Sequence, residues 1–259
     1  DGLAEGDFGV AGKAFNGEES QYYYGLYAAV ISSNPDLHGI VYLDPGAGFE
    51  TDFTWRHIDG TQRMAMANAI AFSDEGDHMY VSDSAMGAVW QLPLYGFVGY
   101  STPKVWIADS LLEGTGELPY PFPIGANGVD VHGDTVYVAN TEKSMIVGIP
   151  ILADGAAGEP FVYQELPGVA ADGIAFDRDG NLYVADPPAH TLWRVTPEGE
   201  ITAVADVDDG LSGPSSVALW QDPGGWDDEA GLVAYVSNQA IGDPATIKHG
   251  PSIIEVWLE

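Results

Sequence analysis

The stretch that decides the fold is residues 171–186, which read ADGIAFDRDGNLYVAD. Two short runs rich in Ile, Ala, Tyr and Val flank a polar cluster that contains Gly180, a pattern typical of two antiparallel strands joined by a hairpin. Two further runs of the same kind follow. The sequence therefore predicts four consecutive strands, at residues 173–176, 182–185, 191–195 and 201–205.

The same phrase occurs at least three more times along the chain. Clear copies are residues 67–72 (ANAIAF) with 80–83 (YVSD), 126–131 (ANGVDV) with 137–140 (YVAN), and 214–219 (PSSVAL) with 235–238 (YVSN). A weaker fifth copy runs from Gly9 to Phe15 and leads to Tyr27. Four-stranded units of about 50 residues are typical of a β-propeller, because a lone blade cannot bury both faces and must pack on its neighbours around an axis. We therefore predict one all-β domain over residues 1–259, a propeller of four-stranded blades.

The number of blades is left open by the last repeat. It supplies strands at residues 216–220, 232–237 and 253–258, but no outer strand follows. A strand from the N-terminal segment, or from a piece that precedes Asp1, would complete the ring. The ring therefore has either five blades or, as we prefer, six with one upstream of the residues given.

Composition excludes several classes of function. The chain has 39 acidic and 8 basic residues, a net charge of −31, and no cysteine. Such a charge repels phosphate backbones and anionic lipids, so neither nucleic acid nor membrane is an expected partner. The 46% hydrophobic content predicts a folded core, and no apolar run is long enough to span a bilayer. Because Asp1 is not a methionine, any targeting peptide is expected to have been removed or left out, and we expect an extracellular or periplasmic protein.

The start of each inner strand is the predicted functional position. In a propeller this strand begins at the central channel, so the residues there face the axis: Ala11, Asn68, Asn127, Asp172 and Ser215. Three consecutive units thus offer Asn, Asn and Asp, whose oxygens are the ligands that Ca²⁺ prefers. The alternative is that these side chains only bond to backbone in turns. We predict a calcium site formed by Asn68, Asn127 and Asp172.

Other polar positions are assigned structural roles or remain open. The residues that end the second strands are expected mostly to cap hairpins: Asp83, Asn140, Asp186 and Asn238. Trp90, Trp106 and Trp193 are expected to pack between blades. His190 and His249 lie in loops that could reach the channel mouth, where each is a candidate proton shuttle. The insert at residues 111–124 forms either a wall of the pocket or a plug beneath the blade.

Three segments resemble the senescence-marker-protein and gluconolactonase family, a calcium-dependent group of six-bladed propellers. They are residues 68–76 (NAIAFSDEG) with 80–84 (YVSDS), 127–129 (NGV), and 172–176 (DGIAF) with 180–185 (GNLYVA). The resemblance covers about residues 60 to 240. Repeats of the NHL type share the phrase at 180–185, which alone is therefore a weak signal.

The resemblance implies a ligand set and a reaction. In that family a Glu from the first blade and then Asn, Asn and Asp from later blades hold the metal, which matches Asn68, Asn127 and Asp172. The Glu either precedes Asp1 or is Glu18 or Glu19. The implied function is hydrolysis of lactones or related esters, with Ca²⁺ as Lewis acid and Asp172 as ligand and candidate base or nucleophile.

Two alternatives to an enzyme remain. One is a non-enzymatic NHL-like propeller that displays loops to bind a partner. The other is an assembly protein whose exposed edges are filled by a neighbouring copy of the chain, so self-association is also considered.

Overall fold

Short antiparallel strands dominate the structure. The computed structural model describes residues 9–16, 21–27, 38–44, 54–95, 99–119, 122–221, 231–239 and 251–258. The helix that these residues contain is a single 3-10 turn at Thr61–Arg63, and none that could cross a membrane is found within them.

The strands form successive sheets in chain order, which we call blades 1 to 5. Blade 1 contains β1 (Gly9–Asn16), β2 (Gln21–Tyr27), β3 (Gly39–Asp44) and β4 (Thr54–His57). Blade 2 contains β5 (Ala67–Phe72), β6 (His78–Asp83), β7 (Ala88–Tyr95), the short β8 (Gly99–Tyr100) and β9 (Lys104–Ala108). Blade 3 contains β10 (Ala126–His132), β11 (Thr135–Asn140), β12 (Met145–Pro150) and β13 (Phe161–Glu165).

Blades 4 and 5 complete the series. Blade 4 contains β14 (Ile174–Phe176), β15 (Leu182–Asp186), β16 (Thr191–Val195) and β17 (Ile201–Ala205). Blade 5 contains β18 (Pro214–Gln221), β19 (Leu232–Asn238) and β20 (Ser252–Leu258). Within each blade, strands that are neighbours in sequence pair in antiparallel fashion, except that β9 pairs with β7 rather than with β8. The all-β prediction and the four strands of blade 4 are confirmed, and blade 5 has the three strands expected of it.

The hydrophobic core lies between adjacent blades rather than within one sheet. Tyr80 and Trp106 of blade 2 pack with Val136 and Val147 of blade 3 in one buried cluster, and Trp106 donates from Nε1 to the Gly155 carbonyl at 2.9 Å. Trp90 lies in the cluster that joins blades 1 and 2, and Trp193 packs against the one that joins blades 3 and 4. The predicted packing role of the three tryptophans is confirmed.

Blade 5 has one covered and one uncovered face. Val217, Ala234 and Val256 pack against Leu192 of blade 4. The opposite face exposes Trp220 and Tyr235, with Ile253 65% and Trp257 61% accessible. The described residues thus form four sheets of four or more strands and a fifth sheet of three strands, and the count of six blades stays a prediction.

The alignment of the weak N-terminal repeat was wrong by four residues. Tyr80 of β6 pairs with Ala71, and the corresponding pair in blade 1 joins Tyr23 to Ala14. Tyr23 rather than Tyr27 therefore occupies the repeated position.

Candidate functional site

A β-bulge places the predicted ligands at the channel. The pairing register shifts between Ala67 and Ile70 and again between Ala126 and Val129, so Asn68 and Asn127 each lie in a bulge. In blade 4 the Asp172 amide donates to the Ala185 carbonyl, and the Ala185 amide donates to the Gly173 carbonyl. Asp172 and Gly173 therefore both lie opposite Ala185, which is again the arrangement of a bulge. Bulges re-aim side chains in this way. All three predicted ligands line one cavity of about 350 Å³ that follows the inner strands of blades 2 to 5.

Adjacent inner strands approach closely at this level. The Gly128 amide donates to the Asp172 carbonyl at 3.1 Å, and the Gly173 amide donates to the Ser215 carbonyl at 3.0 Å. A Cβ atom on Gly128 would lie 2.1 Å from the Asp172 oxygen, so only glycine permits this bond. In blade 2 the corresponding position is Ala69 rather than glycine. The Ala69 amide donates to Ser82 Oγ at 2.9 Å, and that hydroxyl donates to the Asn127 carbonyl.

Each asparagine uses its amide nitrogen in a second link between blades. Asn127 Nδ2 donates to Thr141 Oγ1 at 2.9 Å, and Thr141 Oγ1 donates to the Ala171 carbonyl of blade 4 at 2.7 Å. Asn68 Nδ2 donates to Ser84 Oγ at 2.9 Å, and Ser84 Oγ donates to the Ala126 carbonyl of blade 3 at 2.6 Å. The nitrogen ends of both side chains therefore have structural roles.

The oxygen end of Asn127 is different. Asn127 is only 5% exposed, and its Oδ1 is buried with no hydrogen-bond partner in the part of the chain that the structure describes. A buried acceptor that makes no hydrogen bond costs free energy unless a ligand satisfies it. Amide oxygens and a carboxylate that line one cavity are ligand types that a hard cation prefers, so the residues present fit calcium.

Asp172 departs from the asparagine pattern. Pro187 follows Asp186 where Ser84 and Thr141 follow the corresponding residues of blades 2 and 3, and proline has no hydroxyl to bond. Burial raises the pKa of Asp172 to about 7, although a hydrogen bond from the Asn127 side chain lowers it in part. A carboxyl group with this pKa can accept or release a proton near neutral pH.

His190 links blades 4 and 5, as the hydroxyl groups of Ser84 and Thr141 link the earlier blades. It adopts a left-handed backbone with φ of 55°, and its Nδ1 accepts a hydrogen bond of 2.8 Å from the Gly213 amide. Because Nδ1 is an acceptor, the proton of the neutral ring is assigned to Nε2. His190 thus resembles a fixed donor more than the shuttle considered from sequence, and His249 lies outside the described residues.

A second cavity, of about 440 Å³, opens at the channel mouth, and we call it the mouth cavity. Asn127 and Asp172 line it together with Thr141, His190 and Gln239, while its apolar lining consists of Leu118, Pro119, Ile124, Ala170, Pro187 and Pro188. The insert at residues 111–124 is therefore a wall of the pocket rather than a plug. Glu142 holds it, since its carboxylate accepts from the Gly116 amide at 2.5 Å and the Ile124 amide at 2.9 Å.

Three of the four residues that end the second strands cap the hairpin that follows, as the sequence predicted: Asp83, Asn140 and Asp186 accept from the backbone amide three residues later. The four side chains also make other hydrogen bonds. Asp83 accepts from the Ala65 and Met66 amides at 2.8 and 2.9 Å. Asn140 donates to the carbonyls of Leu111 and Glu113. Asp186 accepts from Trp193 Nε1 at 3.1 Å, and Asn238 accepts from the Ser212 amide at 2.9 Å. These polar side chains therefore have structural roles.

Glu18 and Glu19 lie outside the described residues, and of Ala11 only the strand is described. Within the described ranges no cluster of three or more His, Asp or Glu is present, and the calcium site stays a prediction.

Sequence reasoning missed the hydroxyls of Ser84 and Thr141. The sequence pattern that could have identified them is their position: each directly follows the residue that ends the second strand of its blade.

Comparison with known proteins agrees with the resemblance seen in the sequence. Residues 124–222 match the family described as the SMP-30/Gluconolactonase/LRE-like region, so the resemblance is confirmed over that segment. It contains Asn127, Asp172 and most of the mouth cavity, whereas Asn68 lies outside it. No curated protein sequence matches the chain.

Solved structures share the fold at low sequence identity. A gluconolactonase from Xanthomonas campestris is 15% identical with a TM-score of 0.63, over 96% of this chain and 72% of that one. A chain from a nidogen/laminin complex is 14% identical with a TM-score of 0.60, over 88% and 72%. A catalytically inactive virginiamycin B lyase from Staphylococcus aureus, solved with quinupristin, is 16% identical with a TM-score of 0.52, over 99% and 72%. At these identities the likeness establishes the fold alone.

Proposed function

We propose that this chain, of which residues 124–222 match the SMP-30/gluconolactonase family, hydrolyses lactones or related small esters at the mouth of its central channel. The observation that carries the proposal is the buried, unpartnered Oδ1 of Asn127 in a cavity that the Asp172 carboxyl group also lines. The family match and the shared fold with a gluconolactonase support the reaction class.

Calcium fits the residues at this place. Thr141 engages the Asn127 nitrogen and Ser84 engages the Asn68 nitrogen, so oxygen is the end of each amide left to coordinate a cation. With the Asp172 carboxylate these make three oxygen ligands, and water or substrate would supply the rest. When bound, the cation would act as a Lewis acid toward a carbonyl oxygen. One carboxylate among three ligands favours modest affinity.

The side chains of the chain itself account for proton transfer. Attack of water on the lactone carbonyl carbon forms one C–O bond and breaks the ring C–O bond, giving a hydroxy acid. Asp172 is suited to accept the proton of the attacking water, because its carboxyl group lines the cavity in which the lactone would bind. The proton ends on the oxygen of the released alcohol.

Charge favours release of the product. The hydroxy acid is an anion at neutral pH, and the chain carries a net charge of −31. The negative field repels the product after hydrolysis and does not oppose the approach of an uncharged lactone.

The test is a hydrolysis assay on a panel of lactones with and without a calcium chelator. The proposal predicts hydrolysis that the chelator abolishes and that added Ca²⁺ restores. Turnover unaffected by thorough chelation would contradict the metal role, and no turnover of any lactone or ester with Ca²⁺ present would contradict the reaction class.

A second candidate function, a binding or assembly module, is supported by the uncovered apolar face of blade 5. Trp220, Tyr235, Ile253 and Trp257 lie exposed on it, and exposed apolar patches of this kind mark interaction surfaces. Light scattering over a range of concentrations tests it: a mass that rises with concentration supports self-association, and a constant monomer mass contradicts it.

A further inference from the structure

The mouth cavity has two chemically different ends. At the channel end lie Asn127, Thr141 and Asp172, which carry the polar atoms of the candidate site. Asn127 and Asp172 also line the channel cavity, whereas six apolar residues line the mouth cavity alone, and we call them the outer lining: Leu118, Pro119, Ile124, Ala170, Pro187 and Pro188. His190 and Gln239 are further polar residues of the mouth cavity.

The outer lining offers few hydrogen bonds. None of its six side chains has a donor or an acceptor, and proline also lacks a backbone N–H. A polyhydroxylated ring placed there would lose water from its hydroxyl groups without gaining partners, which disfavours binding. An alkyl chain in the same place would remove apolar surface from water on both sides.

The charged residues in the lining of the mouth cavity further limit which ligands it can bind. The described lining of the mouth cavity contains no Lys or Arg. Lys143, which lies two residues after Thr141 in sequence, donates from Nζ to the Ser110 carbonyl. Asp172 is the single acidic residue in this described lining, and no basic side chain of the lining is present to pair with an anionic ligand.

We infer that the mouth cavity selects uncharged lactones with an alkyl side chain over polyhydroxylated sugar lactones. The lactone ring lies at Asn127 and Asp172, and the alkyl chain lies along the outer lining. His190 Nε2, the assigned donor at the rim, is available to the ring oxygen. The cavity volume of about 440 Å³ is within the common range for small-ligand sites, about 300–1,000 Å³. Turnover of such lactones rests on the proposed function, whereas their binding does not.

Hydrolysis of a homologous series tests the selectivity. For γ-lactones whose side chain grows from one to six carbons, kcat/KM should rise about fourfold per buried methylene, and glucono-δ-lactone should be the poorer substrate. Leu118→Ser should flatten the rise, because kcat/KM should fall most for the lactone with the longest side chain. Leu152→Ser, an exposed leucine on blade 3, is the matched control and should keep the full rise.

Binding of γ-lactams with the same side chains, measured by calorimetry, separates this inference from the proposed function, because lactams resist hydrolysis. Affinity that grows with chain length in the parent and not in Leu118→Ser supports the inference, even if no lactone is hydrolysed and the proposed function fails. Affinity independent of chain length, or a preference for glucono-δ-lactone that Leu118→Ser does not change, would overturn it.

Discussion

Asn127 and Thr141 are joined by a hydrogen bond of 2.9 Å from Nδ2 to Oγ1. Because Thr141 in turn donates to the Ala171 carbonyl, this bond connects blade 3 to blade 4 and also fixes which end of the Asn127 amide remains for a ligand. The structural and the metal-binding interpretations of this asparagine therefore apply to different atoms of one side chain.

Thr141→Val should destabilise the fold. The substitution leaves Asn127 Nδ2 and the Ala171 carbonyl without their partner, at a cost of about 2 kcal/mol. Denaturant unfolding measures it. Thr202→Val is the matched control, because Thr202 Oγ1 is buried without a partner in the described structure, so this change should be neutral or stabilising. Equal losses for the two variants would contradict the assignment.

Gly128→Ala should be more damaging. Its Cβ would meet the Asp172 carbonyl oxygen at 2.1 Å, so the inner strands of blades 3 and 4 would have to separate, at about 3 kcal/mol or more. Gly231→Ala, where the nearest atom would lie 3.5 Å away, is the control and should change stability by less than about 0.5 kcal/mol. A Gly128→Ala protein as stable as the parent would show that the close approach is not needed.

Asp130 should make the fold less stable as pH rises from about 4 to 7. Burial raises the pKa of Asp130 to about 6, and nearby Asp74 adds to the shift, while amides of Phe176 and Val131 lower it. The folded state therefore binds this proton more tightly than the unfolded chain does, and that advantage is lost as pH rises through 6.

Asp130→Asn should remove this loss. The free energy of unfolding of the variant relative to the parent should rise on the order of 2 kcal/mol between pH 4 and pH 7. Asp134→Asn, at an exposed hairpin, controls for the loss of one negative charge. A difference between Asp130→Asn and the parent that stays constant with pH would contradict the prediction.

The strands of blade 4 could be predicted from sequence to within a residue, because short apolar runs there alternate with turns rich in Gly, Asp and Pro. The same reasoning misplaced Tyr27, since β2 contains Tyr22, Tyr23, Tyr24 and Tyr27 and spacing alone does not choose among them. Only the pairing with Ala14 does so.

The candidate site was predictable in position but not in chemistry. Equal places in the repeat indicated that Asn68, Asn127 and Asp172 face the axis. Which atoms remain for a ligand depends on contacts between blades, such as those of Ser84 and Thr141. The assignment of His190 Nε2 as a donor likewise depends on Gly213, 23 residues away in sequence.

The most direct test of the central claim is kcat/KM for a lactone with saturating Ca²⁺, compared between the parent and Asp172→Asn. Loss of the carboxylate removes both a ligand and the proposed base, so we predict a fall of at least about 100-fold in a protein that remains folded. An Asp172→Asn protein that hydrolyses the lactone within twofold of the parent rate would contradict the account.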